Sequence, residues 1–473
     1  MPSSGLRHPI RGLVPALLAF AGASSPARAE PPHCQRPSYE LLRYDEDYSF
    51  LADPTCRTDL WDRAKYLPLG ASRTAYFSFG ADLRERYEYL HSPDWGRDPQ
   101  DPSGYFLHRL MLHGDLHLGS HFRGFVQLKS ALLGDRTGGA RPTDEDVLDL
   151  HQAFVDAIVG PGRMGTLTLR GGRQELAYGS SRLISVREGP NVRRSFDGLR
   201  VMHRLGTWQT DVLAFAPVET NPGIFDDGRE RGQWLWGVYG AGPLLSRNLG
   251  IDVYYLGVRR PDAAFDQGTA LELRHSLGTR VWGEPGDFDY NVELVYQWGR
   301  FGDGNISAWT VASDTGYTAK PWPTRPRFGL KADVTSGDTD PSDRNLQTFN
   351  PLFPRGNYFG EASLVGPRNH IDIQPSIDIH PVDALTITAA WMFFWRQSDA
   401  DGLYRVSGAP QVTAGSNLDR YVGSQGALTV EWEVERHLTF VGTYSHFFPG
   451  GFLQQSGVGK HVDFVGLWAA CRL

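Results

Sequence analysis

Tyr76-Phe77-Ser78-Phe79-Gly80-Ala81-Asp82-Leu83-Arg84 decides the fold. Phe77, Phe79, Ala81 and Leu83 alternate with Ser78, Gly80, Asp82 and Arg84. Successive side chains of a strand point to opposite faces, so this run has one apolar and one polar face. Arg86 and Glu88 extend the polar face. The same period recurs downstream. Leu110, Leu112, Leu116 and Leu118 alternate with Arg109, His113, Asp115 and His117. Tyr290-Val292-Leu294-Tyr296-Trp298 and Leu385-Ile387-Ala389-Trp391-Phe393-Trp395 read as apolar, aromatic faces of later strands. From Tyr76 to Leu473 we count about 18 such runs, the last ending in Trp468-Ala469-Ala470-Cys471-Arg472-Leu473.

The connections between runs alternate in length. Tyr89–Gly104, Ala131–Val147, Glu175–Phe196, Val218–Gly232, Gly337–His370 and Gln397–Gly423 are long. Gly119–His121, Gly206, Gly242–Ser246, Pro381–Asp383 and Arg436-His437 are short. The middle is less regular, with a shortish Gly299–Asn305 and a longish Tyr317–Pro326. A soluble sandwich has no reason to place its long loops at one end. Short periplasmic turns and long external loops are the pattern of an outer-membrane barrel. The expected fold is therefore all-β, a transmembrane antiparallel β-barrel over residues 76–473. Lipid offers no water to an open sheet edge, so the first and last strands must pair.

The chain start agrees with export. Arg7, His8 and Arg11 precede a short apolar run, Leu13 to Ala23, and Ala27-Arg28-Ala29 fits a small-x-small cleavage site. Residues 1–29 read as a signal peptide, and no later run is long enough for a membrane helix. Residues 30–75 lack the period of two and read as a periplasmic segment with a short helix. Cys34 and Cys56 lie in it, in an oxidising compartment, and can pair. Cys471 is left over. The chain has 473 residues, net charge −7 and mean hydropathy −0.36. The low average suits alternating lipid and lumen faces, and the acidic balance argues against nucleic acid.

Leu169-Arg170-Gly171-Gly172-Arg173-Gln174-Glu175-Leu176-Ala177-Tyr178-Gly179, then Arg182, Leu183, Ile184, Asn191 and Arg194-Ser195-Phe196-Asp197-Gly198-Leu199-Arg200, resemble a known family. So do Asn350-Pro351-Leu352-Phe353-Pro354, Tyr358 and Gly360. These motifs are similar to those of the alginate export porins. The resemblance implies a barrel of 18 strands in the outer membrane, passive export of a polyuronate through a basic lumen, and a monomeric pore. It further implies contact with outer-membrane lipid and lipopolysaccharide, and with periplasmic export or biosynthesis partners. In the family's alginate porin a long periplasmic turn plugs the pore. Here the late turn, Arg436-His437, is minimal.

A pore for an acidic polymer needs fixed positive charge spread over several weak sites. Arginine suits this because it stays charged and presents a planar fork to carboxylates. The candidate lining residues are Arg170, Arg173, Arg182, Arg187, Arg193, Arg194 and Arg200, with Arg84, Arg109, Arg123 and Lys129 on polar strand faces. Loop Glu175–Phe196 lies between two of these strands and can fold into the pore. The competing reading pairs these arginines with Glu175, Glu188 and Asp197 as structural ties. His113, His117 and His121 have helical metal spacing, but they fall on a strand running into a turn. No nucleophile elbow, zinc-protease motif, P-loop or dinucleotide fingerprint stands out, so the chain is expected to be a non-enzyme without cofactor or metal. The alternatives are a general or small-anion porin and, in another class, a barrel-anchored enzyme or adhesin.

Overall fold

A computed structural model describes residues 34–70, 73–162, 164–246 and 248–473. The expected signal peptide and its cleavage site lie outside the described residues. Eighteen strands make one closed antiparallel sheet. They are β1 Ala75–His91, β2 Tyr105–Leu118, β3 Phe122–Gly134, β4 Asp146–Gly162, β5 Gly165–Gln174 and β6 Phe196–Leu205. Next come β7 Trp208–Glu219, β8 Trp234–Ser246, β9 Leu249–Phe265, β10 Gly268–Gly283, β11 Phe288–Phe301 and β12 Gly304–Thr318. The last six are β13 Arg327–Thr335, β14 His370–Val382, β15 Leu385–Trp395, β16 Tyr421–Glu435, β17 Leu438–Pro449 and β18 Val462–Arg472. Each pairs with its sequence neighbours, and β1 also pairs with β18, from Asp82 opposite Arg472 to His91 opposite Asp463. Ala81 and Leu473 exchange two backbone hydrogen bonds beyond that ladder. Closure leaves the barrel wall no open edge, as a lipid environment demands.

The period of two survives in every wall segment. Phe79, Phe106, Val126, Val155, Leu169, Leu199, Leu294, Trp298, Trp391 and Leu467 are exposed on the outer face. Their strand neighbours Arg84, Arg109, Gln127, Asp156, Arg170 and Arg200 are buried on the inner face. Prolines sit where the ladder slips. Pro261 lies in the shift between Arg260 and Ala263, and Pro381 in the one between Ile379 and Val382. A proline nitrogen has no hydrogen to give the ladder, which is why it collects there.

The interior is packed rather than open. Loop residues 175–195 and 336–369 turn inward from the long-loop end. Their Leu176, Leu183, Ile184, Leu346, Phe349, Leu352 and Phe353 form one buried cluster with Phe196, Phe215, Leu235 and Tyr254 of the wall. The two loops join by hydrogen bonds from Phe353 N–H to the Leu183 carbonyl, 2.8 Å, and from Arg355 N–H to the Ser181 carbonyl, 3.2 Å. The segment 34–66 holds only short 3-10 turns and the one-turn helix Asp62–Lys65. It does not hang below the barrel. It packs into the short-turn mouth, and Cys34 and Cys56 form a disulfide within it.

Candidate functional site

The narrowest built region lies where the two inward loops meet. Loop 175–195 is pinned at Asn191, whose fully buried amide nitrogen donates to the carbonyls of His108 (3.1 Å), Leu132 (3.3 Å) and Asp144 (2.9 Å). The bend before it is held by inward arginines of the wall. Arg84 donates to the carbonyls of Glu188, Gly189 and Pro190, and Arg109 pairs with the Glu188 carboxylate. Charged donors on carbonyl acceptors are among the stronger hydrogen bonds, so this loop is a fixed element of the lumen.

Many of the arginines expected to line the pore are tied up in this way. Arg170 makes a two-point pair with Asp156 at 2.7 and 2.8 Å, and Arg200 with Asp211 at 2.9 and 2.6 Å. Arg123 pairs with Asp115, Arg182 with Glu293 and Asp333, and Arg193 with Glu175 and Glu188. Lys129 is buried between Asp146, 2.5 Å, and Asp227, 3.3 Å. Arg173 is a correction. The ladder sets it opposite Asp197 and Ala153, on the face of Leu169 and Leu199, so it points away from the row of Arg170 and Arg200. It pairs with Asp197 at 2.8 Å and holds the outer rim. Of the histidines, His113 and His117 share the inward face of β2. His113 stacks on Phe125 and His117 bonds to Asp115, while His121 bonds to Ser120 in the turn.

Several arginines make no ion pair among the described residues, and four half-buried ones stand where the two inward loops meet. Arg187 and Arg194 lie on loop 175–195, Arg260 within β9, and Arg355 on loop 336–369. Among the described residues none of the four makes an ion pair with a carboxylate. Arg194 and Arg260 both lie over the Phe353 ring, 5.2 and 4.9 Å from its centre. Arg187 donates to the Val192 carbonyl, and its Cγ lies 3.2 Å from the place a Cβ on Gly356 would take. Burial pushes the Arg187 guanidinium down to about 10. Burial, then the charges of Arg187 and Arg260, push Arg194 down further. All four are partly accessible. Positive charge that is costly to hold is what an anion can relieve. Arg260 and Arg355 were not singled out in the sequence. Their signals were Pro261, marking a break in the ladder within β9, and the position directly after the Asn350–Pro354 motif.

The alginate export family profile matches residues 75–465. The chain belongs to that family. No curated protein matches it by sequence. Several solved outer-membrane proteins share its fold. OpdK of Pseudomonas aeruginosa, solved with vanillate, is 11% identical with a TM-score of 0.54, over 84% of this chain and 98% of that one. OccD3 (OpdP) of the same species is 12% identical with a TM-score of 0.56, over 87% and 93%. A BenF-like porin of Pseudomonas fluorescens Pf-5 is 9% identical with a TM-score of 0.56, over 84% and 98%. The family and the closed barrel make this an outer-membrane channel.

One tie of the 34–66 segment titrates. Asp59 lies 2.7 Å from His437 in the β16–β17 turn. Burial pushes Asp59 up, but the hydrogen bonds from His437 and the Trp61 N–H outweigh it and bring the carboxyl to about 2. Burial pushes His437 down, and the Asp59 and Arg472-carbonyl bonds raise it above its usual value. Tyr39, Arg436, Arg43 and Arg36 are the other polar groups around this pair. A raised histidine stabilises fully below its unfolded value and loses that contribution as pH rises through its folded value. The lowered Asp59 contributes above its unfolded value and loses that only as pH falls towards 2. The tie is therefore expected to be tightest from about pH 4 to 6 and to weaken above neutrality. Proteolytic nicking within 34–66 should speed up between pH 6 and 8 in the parent. In Asp59→Asn it should be fast and flat with pH. A rate in the parent that does not change over this range would remove the pair as a tie.

Proposed function

We propose that the channel conducts an anionic solute past Arg187, Arg194, Arg260 and Arg355, and that its cargo is a polyuronate. The observation that carries this is the set of four half-buried arginines without carboxylate partners, gathered where the two inward loops meet. They offer several weak carboxylate contacts, which lets a chain enter and also leave. Family membership favours a polyuronate. A second reading is uptake of a small organic carboxylate. It draws on OpdK, a fold neighbour solved with vanillate, and on the packed interior.

The test is single-channel current in a planar bilayer under a KCl gradient, with uronate oligomers of increasing length added. An anion-selective current, blocked more strongly as the oligomer lengthens, is the expected result. Block by a monomeric uronate or aromatic carboxylate that does not improve with length would favour the second reading. A cation-selective current would discard both.

A further inference from the structure

Segment 34–66 has a small core of its own, and its seat combines one apolar cluster with polar ties. Cys34, Tyr48, Leu51, Cys56 and Tyr66 pack together, with only Tyr76 from the wall. The disulfide spans 22 residues and closes the loop that carries Tyr44. Beyond that core, Leu42 and Tyr44 are buried against Phe125, Phe154 and Val186 of the barrel. The Tyr44 ring packs edge-on against Phe125 and Phe154, and the Arg170 guanidinium lies 4.3 Å from its centre. Other ties to the wall are single polar bonds. Arg43 donates to the carbonyls of Ala81 and Leu473, and Arg123 donates to the Tyr44 carbonyl. At Gly80 the wall has no side chain, and the space above it is filled by the wall's own His113 ring and by Lys65 Nζ.

The segment also touches the narrowing loop. The Tyr44 hydroxyl donates to the Glu175 carbonyl at 2.8 Å, and Arg193 donates to the Leu41 carbonyl at 2.8 Å. Glu175 and Arg193 begin and end the part of that loop that holds Arg187. In this position the segment covers Arg123, Arg170 and Arg193 on one wall. The opposite wall keeps its inward-facing Glu431 and Glu433 exposed. Asp45, next to the latch, is exposed to the remaining passage. Exposed carboxylates at this mouth disfavour a polyanion.

We propose that residues 34–66 are a periplasmic plug that moves as one disulfide-closed unit, latched by Tyr44, and that its withdrawal releases the narrowing loop and opens the channel to anions. This rests on the chain being an anion channel but not on which anion passes. A unit with its own core, whose apolar contacts to its seat are confined to Leu42, Tyr44 and the Tyr66–Tyr76 stack, can leave without unfolding. The long periplasmic turn absent at Arg436-His437 is thereby replaced by a different part of the chain.

The experiment compares KCl currents of the parent, Tyr44→Ala and a chain lacking residues 34–66. Barrel assembly is checked by the heat-dependent shift on an electrophoresis gel. Tyr44→Ala removes only the latch, so the test survives if the deletion does not assemble. Assembled variants are expected to conduct at least about twofold more than the parent, with reversal potentials shifted towards chloride. Assembled variants with parental conductance and selectivity would overturn the plug. Uronate block is read separately. Raised current without block keeps the plug and discards the polyuronate, while block with unchanged current does the reverse.

Discussion

Changing Arg187, Arg194 and Arg260 together to glutamine is expected to abolish the preference for anions and the block by uronate oligomers. A guanidinium about 4 Å from a passing carboxylate is worth on the order of 4 kcal/mol at an effective dielectric near 20, before desolvation and salt take their share. Removing three such groups leaves Arg355 facing the ion pairs and the carboxylates around them. The reversal potential under a KCl gradient should move to zero or change sign. The same exchange at Arg170 and Arg200 should act differently. Those groups are already matched by Asp156 and Asp211, so losing them strands two buried carboxylates and weakens the wall rather than the site. The lysine version of the triple change should keep the sign of selectivity but weaken the oligomer block, because an ammonium lacks the two-point fork. A triple glutamine chain with the parental reversal potential would exclude these arginines from the selectivity site.

The barrel was legible because its signal is local. Each wall segment repeats its apolar face every second residue, and all eighteen runs read from the sequence fall on the eighteen strands of the wall. The inward faces of Arg84, Arg109, Arg123, Lys129, Arg170 and Arg200 followed from the same period. What a charged side chain meets there did not follow. Asp156 and Asp211 oppose Arg170 and Arg200 only through the register of neighbouring strands. Arg173 was misplaced because Gly171 and Gly172 interrupt the apolar alternation that would have marked its face. Segment 34–66 is aperiodic, and its partners lie on β1 to β5 and the β16–β17 turn. No local pattern announces such contacts. The same holds for Asn350, whose motif was visible but whose partners are dozens of residues away.

Replacing Asn350 by leucine should lower the stability of the folded barrel by roughly 3–5 kcal/mol and loosen the pore. Asn350 is fully buried, and both faces of its amide are used. Its nitrogen donates to both Glu272 oxygens at 3.0 Å. Its side-chain oxygen accepts from Arg260 (3.3 Å), Arg368 (3.0 Å) and the Leu352 N–H (3.0 Å). Its backbone exchanges bonds with Gln297 at 2.9 and 2.7 Å. Leucine keeps the volume but leaves a buried carboxylate and a buried guanidinium each short of a partner, and unmatched charge in a dry site costs more than the bond itself gains. Leu352, held at a left-handed φ of 59°, would lose the bond that fixes its turn. Phe353, which follows it, sits against Arg194 and Arg260, so a fault at Asn350 reaches the narrowing directly. The expected readings are a lower urea midpoint in lipid vesicles and a larger, flickering single-channel current. Asn345→Ala, in the same loop but exposed and bonded only near its tip, should change neither by much. If Asn350→Leu kept the parental midpoint and a steady current, loop 336–369 would have to be held elsewhere. The motif Asn350-Pro351-Leu352-Phe353-Pro354 would then have no structural reason in this network.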